Sequence, residues 1–367
     1  MAATYQAERD RGLTRLLEIV RALPEGERPW CSGVALAAGT ASGPLAEECF
    51  GWAVRYAAYD ERADRGVELP RERWVPVRRD TLFDLASLTK LCTTIVALRA
   101  AERGLIALDA RVAAYAPECT AAAEHGITVR QLLTHTSGLI PELPLYEEDG
   151  VDRRLARLAA EPPVTPPGTA RRYSDLNFLL LQRVVERTAG RPLDRLVRET
   201  VTGPLGMAAT RFNPPASWLP RTAATEDQRR PWGKVDRGML RGVVHDENAW
   251  ALGGVAGHAG LFSTAGDLAV LCRTLLAGGG PVLSRESTEL MLTAPGLGFE
   301  VDQPWFMGEL AGRGAAGHTG FTGTSLVVDR ARGVYLVLLA TTVHPRRRPG
   351  ESAPRAAVGT ALARAMG

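Results

Sequence analysis

Ser87 and Lys90 stand three residues apart in the stretch Thr81-Leu82-Phe83-Asp84-Leu85-Ala86-Ser87-Leu88-Thr89-Lys90. On a helix that spacing puts two side chains on one face, close enough to touch. The lysine is conspicuous by its rarity: of 44 basic residues only Lys90 and Lys234 are lysines, and the rest are arginines. Arginine keeps its proton at every usable pH, whereas a desolvated lysine can release one and act as a base. A serine hydroxyl becomes an effective nucleophile when a neighbouring base takes its proton. The pair could therefore attack a carbonyl carbon; alternatively, Lys90 is an exposed lysine that happens to follow a serine.

Two later segments offer partners. In Arg171-Arg172-Tyr173-Ser174-Asp175 a tyrosine sits at a loop-to-helix junction, and a phenol near a lysine can share its proton as general acid or base. The same residues also read as a helix cap, with Ser174 or Asp175 capping and Tyr173 packed. In Gly317-His318-Thr319-Gly320-Phe321-Thr322-Gly323 the glycines suit close approach of backbone to a ligand, or simply a tight bend.

The elements that must hold these groups follow from periodicity. The N-terminus carries Leu13, Leu16, Leu17, Val20 and Leu23 on one helical stripe. It has no long apolar run behind a basic start, so a signal peptide is not expected and a cytoplasmic location is. Ser32–Gly39 and Phe50–Tyr56 read as strands, and Leu85–Arg103 as a helix closed by Gly104 with Asp84 as N-cap. That reading places Ser87 in the first helical turn, where main-chain N–H groups favour negative charge. Further helices are predicted from Asn177 to about Thr188, from Thr264 to about Leu276, and at the C-terminus. Ser325–Asp329 and Gly333–Leu339 form an antiparallel hairpin, and residues 105–250 otherwise read as short helices and Pro/Gly-rich loops. A length of 367 residues allows a large core, and 45% hydrophobic and 23% charged residues are ordinary for a soluble globular chain. A net charge of +3 gives no support for nucleic-acid binding, and the Arg346-Arg347-Arg348 run reads as a solvated loop. Five scattered cysteines show no metal-type spacing. Lys234 reads as an exposed charge without a role.

Taken in order, Ser87-x-x-Lys90 on a helix, Tyr173-Ser174-Asp175, and His318-Thr319-Gly320 on a late strand resemble the serine β-lactamase and penicillin-binding superfamily, in its class C-like branch. Gly104–Asp109, His135-Thr136-Ser137-Gly138-Leu139 and Pro204-Leu205-Gly206-Met207 look like the same family in the right order. The resemblance covers nearly the whole chain. It implies a β-lactamase/transpeptidase-like α/β (α+β) fold, an antiparallel sheet flanked by helices plus a mainly helical domain. The expected layout is one unit, with the α/β part from about residues 1–80 and 255–367 and the helical part from about 81–254. It further implies Ser87 as the acylated nucleophile, Lys90 and Tyr173 as the proton-transfer system, and the main-chain N–H groups of Ser87 and Phe321 as an oxyanion hole. Asp175, His318, Thr319 and Gly320 would face the substrate. No cofactor or metal is implied, and neither a membrane nor a nucleic acid is an expected partner.

Two departures matter. Relatives often carry asparagine where this chain has Asp175, and lysine where it has His318. An anion beside Lys90 raises its pKa unless burial opposes it, and a histidine is only partly charged near neutral pH. Both predict poor β-lactam hydrolysis. The polar stretch Ala223–Glu226 and the run from Arg241 to Ser263, with His245, Asp246 and His258, look like a subgroup linked to cell-wall recycling that includes N-acetylmuramoyl-L-alanine amidases. Glu226 and His245 are therefore substrate-pocket candidates. A metal held by His245, Asp246 and His258 is disfavoured by spacing. The resulting expectation is a serine hydrolase acting through an acyl-enzyme on muropeptides, as amidase or peptidase. The alternatives are a carboxylesterase of the same fold and a non-catalytic sensor of β-lactams or muropeptides. In every case the partner is a small molecule: muropeptide, peptide or ester.

Overall fold

The computed structural model describes residues 2–348 and 350–367, with side chains from Glu8 onward. Its centre is a seven-stranded sheet, antiparallel throughout. In spatial order the strands are Glu300–Val301, Ala316–Thr319, Ser325–Asp329, Val334–Ala340, Gly33–Thr40, Gly43–Val54 and Val75–Pro76. The strand Val334–Ala340 is buried along its whole length because both faces are covered. Tyr335, Val337 and Leu339 join one core, while Val334, Leu336 and Leu338 join the other. Period-2 alternation between two covered faces is why this segment reads as an unbroken apolar run.

The helix Ala265–Leu276 covers one face. The N-terminal helix Ala2–Ala22 and the C-terminal helix Ala353–Met366 pack together over the other. The predicted N-terminal stripe is the buried one: Leu16 and Val20 are fully covered and Leu13 and Leu17 pack at its edge. Each such leucine or valine, fully buried, contributes about 1.5–3 kcal/mol relative to exposure. No helix among the described residues is long and apolar enough to cross a membrane.

Two hairpins escaped sequence reading, Tyr56–Asp60 with Arg65–Glu68 and Ala224–Gln228 with Gly238–Arg241. The second is instructive. Ala-Thr-Glu-Asp-Gln has the composition of a loop, yet all its residues are buried, because Arg347, His245 and main-chain groups satisfy its polar side chains.

The turn carrying Ser87 is set by its neighbours. Ser87 lies in a 3₁₀ turn, Ala86–Leu88, that runs straight into the helix Thr89–Glu102. Ala86 has φ +46°, a left-handed conformation that costs a non-glycine residue of order 1–3 kcal/mol. Asp84 does not cap the helix as expected. Its buried carboxylate instead accepts the N–H of Ala86 at 2.9 Å and the N–H of His245 at 2.6 Å. The Asp84 carbonyl accepts from Thr322 Oγ1 at 2.7 Å, and the Leu85 carbonyl from Thr324 Oγ1 at 3.0 Å. The two threonine hydrogen bonds thus lock the Ser87 turn to the loop beyond strand Ala316–Thr319, and the Asp84 carboxylate ties it to His245. Gly320 is required there: a Cβ would lie 2.1 Å from Thr324 Oγ1 and 2.4 Å from the Leu85 carbonyl.

Asp84→Asn keeps the shape but turns an amide NH₂ toward one of the two N–H groups. The expected loss is about 1–3 kcal/mol, read as a lower urea midpoint at unchanged m-value. An unshifted midpoint would show that the brace is dispensable.

Candidate active site

The helix Thr89–Glu102 is buried on nearly every side, Lys90 included. Its side chain is 0% exposed. The ammonium donates to Ser87 Oγ at 2.9 Å and to the His258 carbonyl at 3.3 Å, and pairs with Asp175 Oδ1 at 2.7 Å. It also lies 4.9 Å from the centre of the Tyr173 ring. The phenol of Tyr173 reaches the other side of the serine, OH to Ser87 Oγ at 3.0 Å. Ser87, Lys90, Tyr173 and Asp175 therefore converge as one cluster.

Tyr173 reaches inward because the next residue ends the loop. Ser174 caps the helix Asp175–Ala189 by accepting the Leu176 N–H at 3.2 Å, and donates to the Ile140 carbonyl at 2.6 Å. The cap and the proton-carrying phenol are thus neighbours rather than competing readings. Behind the phenol stands His135, stacked on its ring at 4.6 Å. His135 Nδ1 accepts the Ser174 N–H and faces the Asn177 amide, both at 3.1 Å. Sequence reading used this histidine only as part of a family-like loop; its role in seating Tyr173 was missed. Asp84 was missed likewise, since a residue taken for a cap gives no sign that it braces a distant loop.

Electrostatics favour a charged lysine. Burial pulls Lys90 down, but the Asp175 carboxylate and the Tyr173 oxygen outweigh it, and the ammonium is held above its ordinary value. Burial pushes the Tyr173 phenol up against the opposing pull of Lys90. Burial and the Lys90 charge together hold His318 down to about 3. His318 is therefore neutral at pH 7, not partly charged as expected. Its Nδ1 donates to the Thr319 carbonyl at 2.7 Å, which leaves Nε2 as a buried acceptor without a partner among the described residues.

A cavity of about 790 Å³ opens over this cluster, and Ser87, Tyr173, Asp175, His318, Thr319 and Gly320 line it. Arg355 lines it too. This arginine is 7% exposed and has no carboxylate partner among the described residues. It donates to Ser352 Oγ and the Gly320 carbonyl, each at 3.3 Å, and stands 5.3 Å from the centre of the Trp30 ring, while its Nε has no hydrogen-bond partner among the described residues. Burial lowers it to about 10, still charged at pH 7.

Other candidates fare differently. Glu226 is 0% exposed and is not in the cavity wall; His245 and Arg347 hold its carboxyl, despite burial, down to about 2. His245 does line the cavity, with Nε2 turned to Glu226 Oε2 at 2.8 Å. Arg347 forks onto Glu226 and reaches Glu247, so the arginine run is not wholly solvated. Lys234 is not a free surface charge, since it pairs with Glu142 at 2.5 Å on the cavity rim. The triad His245, Asp246 and His258 does not form: Asp246 pairs with His258 at 2.9 Å while His245 faces Glu226. Asp175, Asp246 and His258 do converge within 4.8 Å, around the place where the Lys90 ammonium meets Asp175.

Comparison with known proteins agrees with this geometry. The Beta-lactamase family model matches residues 32–360. A protein of Escherichia coli (strain K12), provisionally named a D-alanyl-D-alanine carboxypeptidase, is 34% identical over 76% of this chain and 74% of its own length. The N-acetylmuramyl-L-alanine amidase of Bacillus subtilis (strain 168) is 31% identical over 89% of this chain and 85% of its own. Among solved structures, EstCE1, a hydrolase with promiscuous acyltransferase activity, superimposes with TM-score 0.73 at 21% identity, over 96% of this chain and 99% of that one. A class C beta lactamase does so with TM-score 0.72 at 19% identity, covering 97% and 98%. With the fold, the Ser87 cluster and these relationships together, the chain belongs to the β-lactamase family and is a serine hydrolase of that fold.

Proposed function

We propose that this hydrolase cleaves an amide bond in cell-wall-derived muropeptides through an acyl-enzyme on Ser87. The observation that carries the chemistry is the contact of one hydroxyl with both an amine and a phenol, at 2.9 and 3.0 Å. When the Lys90–Tyr173 pair has lost one proton, it can take the proton of Ser87 as Oγ bonds to the carbonyl carbon. The negative charge on the carbonyl oxygen then falls to main-chain donors, the N–H groups of Ser87 and Phe321. Such donors stabilise the tetrahedral intermediate by a few kcal/mol (about 3) each. Collapse breaks the C–N bond, and Tyr173 returns the proton to the leaving nitrogen. Water then hydrolyses the ester, with the pair acting as base again.

The substrate reading draws on three facts. Two curated relatives that align over three quarters or more of this chain are named for D-alanyl-D-alanine carboxypeptidase and N-acetylmuramyl-L-alanine amidase activity. Muropeptides carry carboxylates, and Arg355 is a buried cation in the cavity with no carboxylate partner among the described residues. It supplies the charge that His318, held neutral, does not. A sensor would need neither the nucleophile nor its two proton carriers, and all three are in contact here.

Three outcomes follow. Purified protein incubated with N-acetylmuramyl-L-Ala-D-Glu should release free N-acetylmuramic acid, and Ser87→Ala should slow that release by about three orders of magnitude or more. Turnover of short esters alone would select the esterase instead, and failure of a fluorophosphonate to label Ser87 would end the hydrolase mechanism. The rate should rise with pH, because Asp175 favours the ammonium and the basic form of the pair appears only as a proton leaves. Asp175→Asn removes that preference, so the rising limb of kcat/KM against pH should move to lower pH; a shift the other way would contradict the assignment. Arg355→Ala should raise KM for a carboxylate-bearing substrate about tenfold or more with a smaller effect on a neutral ester, whereas equal effects would remove Arg355 from recognition.

A further inference from the structure

Phe321 follows Gly320 in the cavity wall, and its side chain is 56% exposed. Though open, this ring is packed by two neighbours. The His245 imidazole stacks on it with centroids 5.5 Å apart and planes 28° apart, and the Arg347 guanidinium stands 5.6 Å from its centre. Both supports are themselves fixed. His245 is held by Glu226 at its ring and by Asp84 at its main-chain N–H. Arg347 is held by two carboxylates, Glu226 and Glu247. Glu226, read from sequence as a pocket residue, never meets the cavity; with His245 and Arg347 it forms a pedestal under one aromatic ring.

A ring packed by two fixed groups yet still more than half open is a platform for a flat, partly apolar partner. The rest of the wall says what kind. The Glu142–Lys234 and Glu247–Arg347 ion pairs line the same cavity, and a purely aliphatic acyl chain would strip water from them and return no hydrogen bond. A pyranose satisfies both demands, with C–H groups on one face and hydroxyls around its edge. We propose that the Phe321 side chain is the specificity-determining platform for the sugar ring of the substrate, on the same residue whose main-chain N–H faces the reacting oxygen. This rests on the muropeptide reading above.

The test uses the full-length Ser87→Ala protein and calorimetry with three probes: N-acetylmuramyl-L-Ala-D-Glu, L-Ala-D-Glu, and free N-acetylglucosamine. With Phe321 present, the sugar should add about tenfold to the affinity of the dipeptide. Phe321→Ala should abolish that increment, while Phe321→Tyr and Phe321→Trp should retain it within about threefold. Retention by the aromatic variants separates a lost platform from a damaged loop. An increment that survives Phe321→Ala, or the absence of any sugar increment, overturns the proposal. If either sugar probe binds in a Phe321-dependent way but wild-type enzyme does not cleave the muropeptide, the platform stands and the amidase reading falls. If cleavage occurs and sugar affinity ignores residue 321, the reverse holds.

Discussion

A buried ammonium held between a carboxylate and a serine is the constraint around which this molecule is arranged. Lys90 lies inside a helix with no exposure, and desolvating an isolated charge there would be prohibitive. Asp175 makes it tolerable at 2.7 Å, and the His258 carbonyl and Ser87 hydroxyl fill the remaining donor positions. Each of those acceptors comes from a different segment. Chain stretches far apart in sequence are thereby tied to one nitrogen. An arginine could not replace it, because its fork is larger and does not give up a proton.

The same geometry creates a tension between stability and chemistry. The carboxylate that makes the charge bearable also makes it persistent, so the pair is least basic when best held. Tyr173 shares the load. Burial raises its pKa and the lysine opposes that rise, so the two groups are electrostatically coupled. His135, neutral and stacked on the phenol, supports Tyr173 without adding a positive charge.

Strain and polarity are concentrated nearby and balanced by direct contacts. The left-handed Ala86 is held by Asp84, and Asp84 also holds the loop that presents His245. Glu226, Glu247, Arg347 and His245 form a compact polar group that is expensive to bury but mutually satisfied. This group connects to the Ser87 turn through Asp84 and to the cavity through Phe321, so a polar cluster on one side of the site braces the other.

Much of this was legible in the residues. The alternation in Val334–Ala340, the stripe through Leu16 and Val20, and the Ser87–Lys90 spacing are local periodicities, and local geometry suffices to turn them into elements and faces. The polar strand Ala224–Gln228 was not legible, because its partners lie over a hundred residues away in Arg347 or on the far side of a hairpin. Nor was the protonation of His318, the pairing of Lys234, or the function of Asp84. Spacing along a chain specifies which side chains share a helix face or a strand face. Which carboxylate meets which cation, and whether water reaches either, depends on contacts between distant segments, and only folding brings those together.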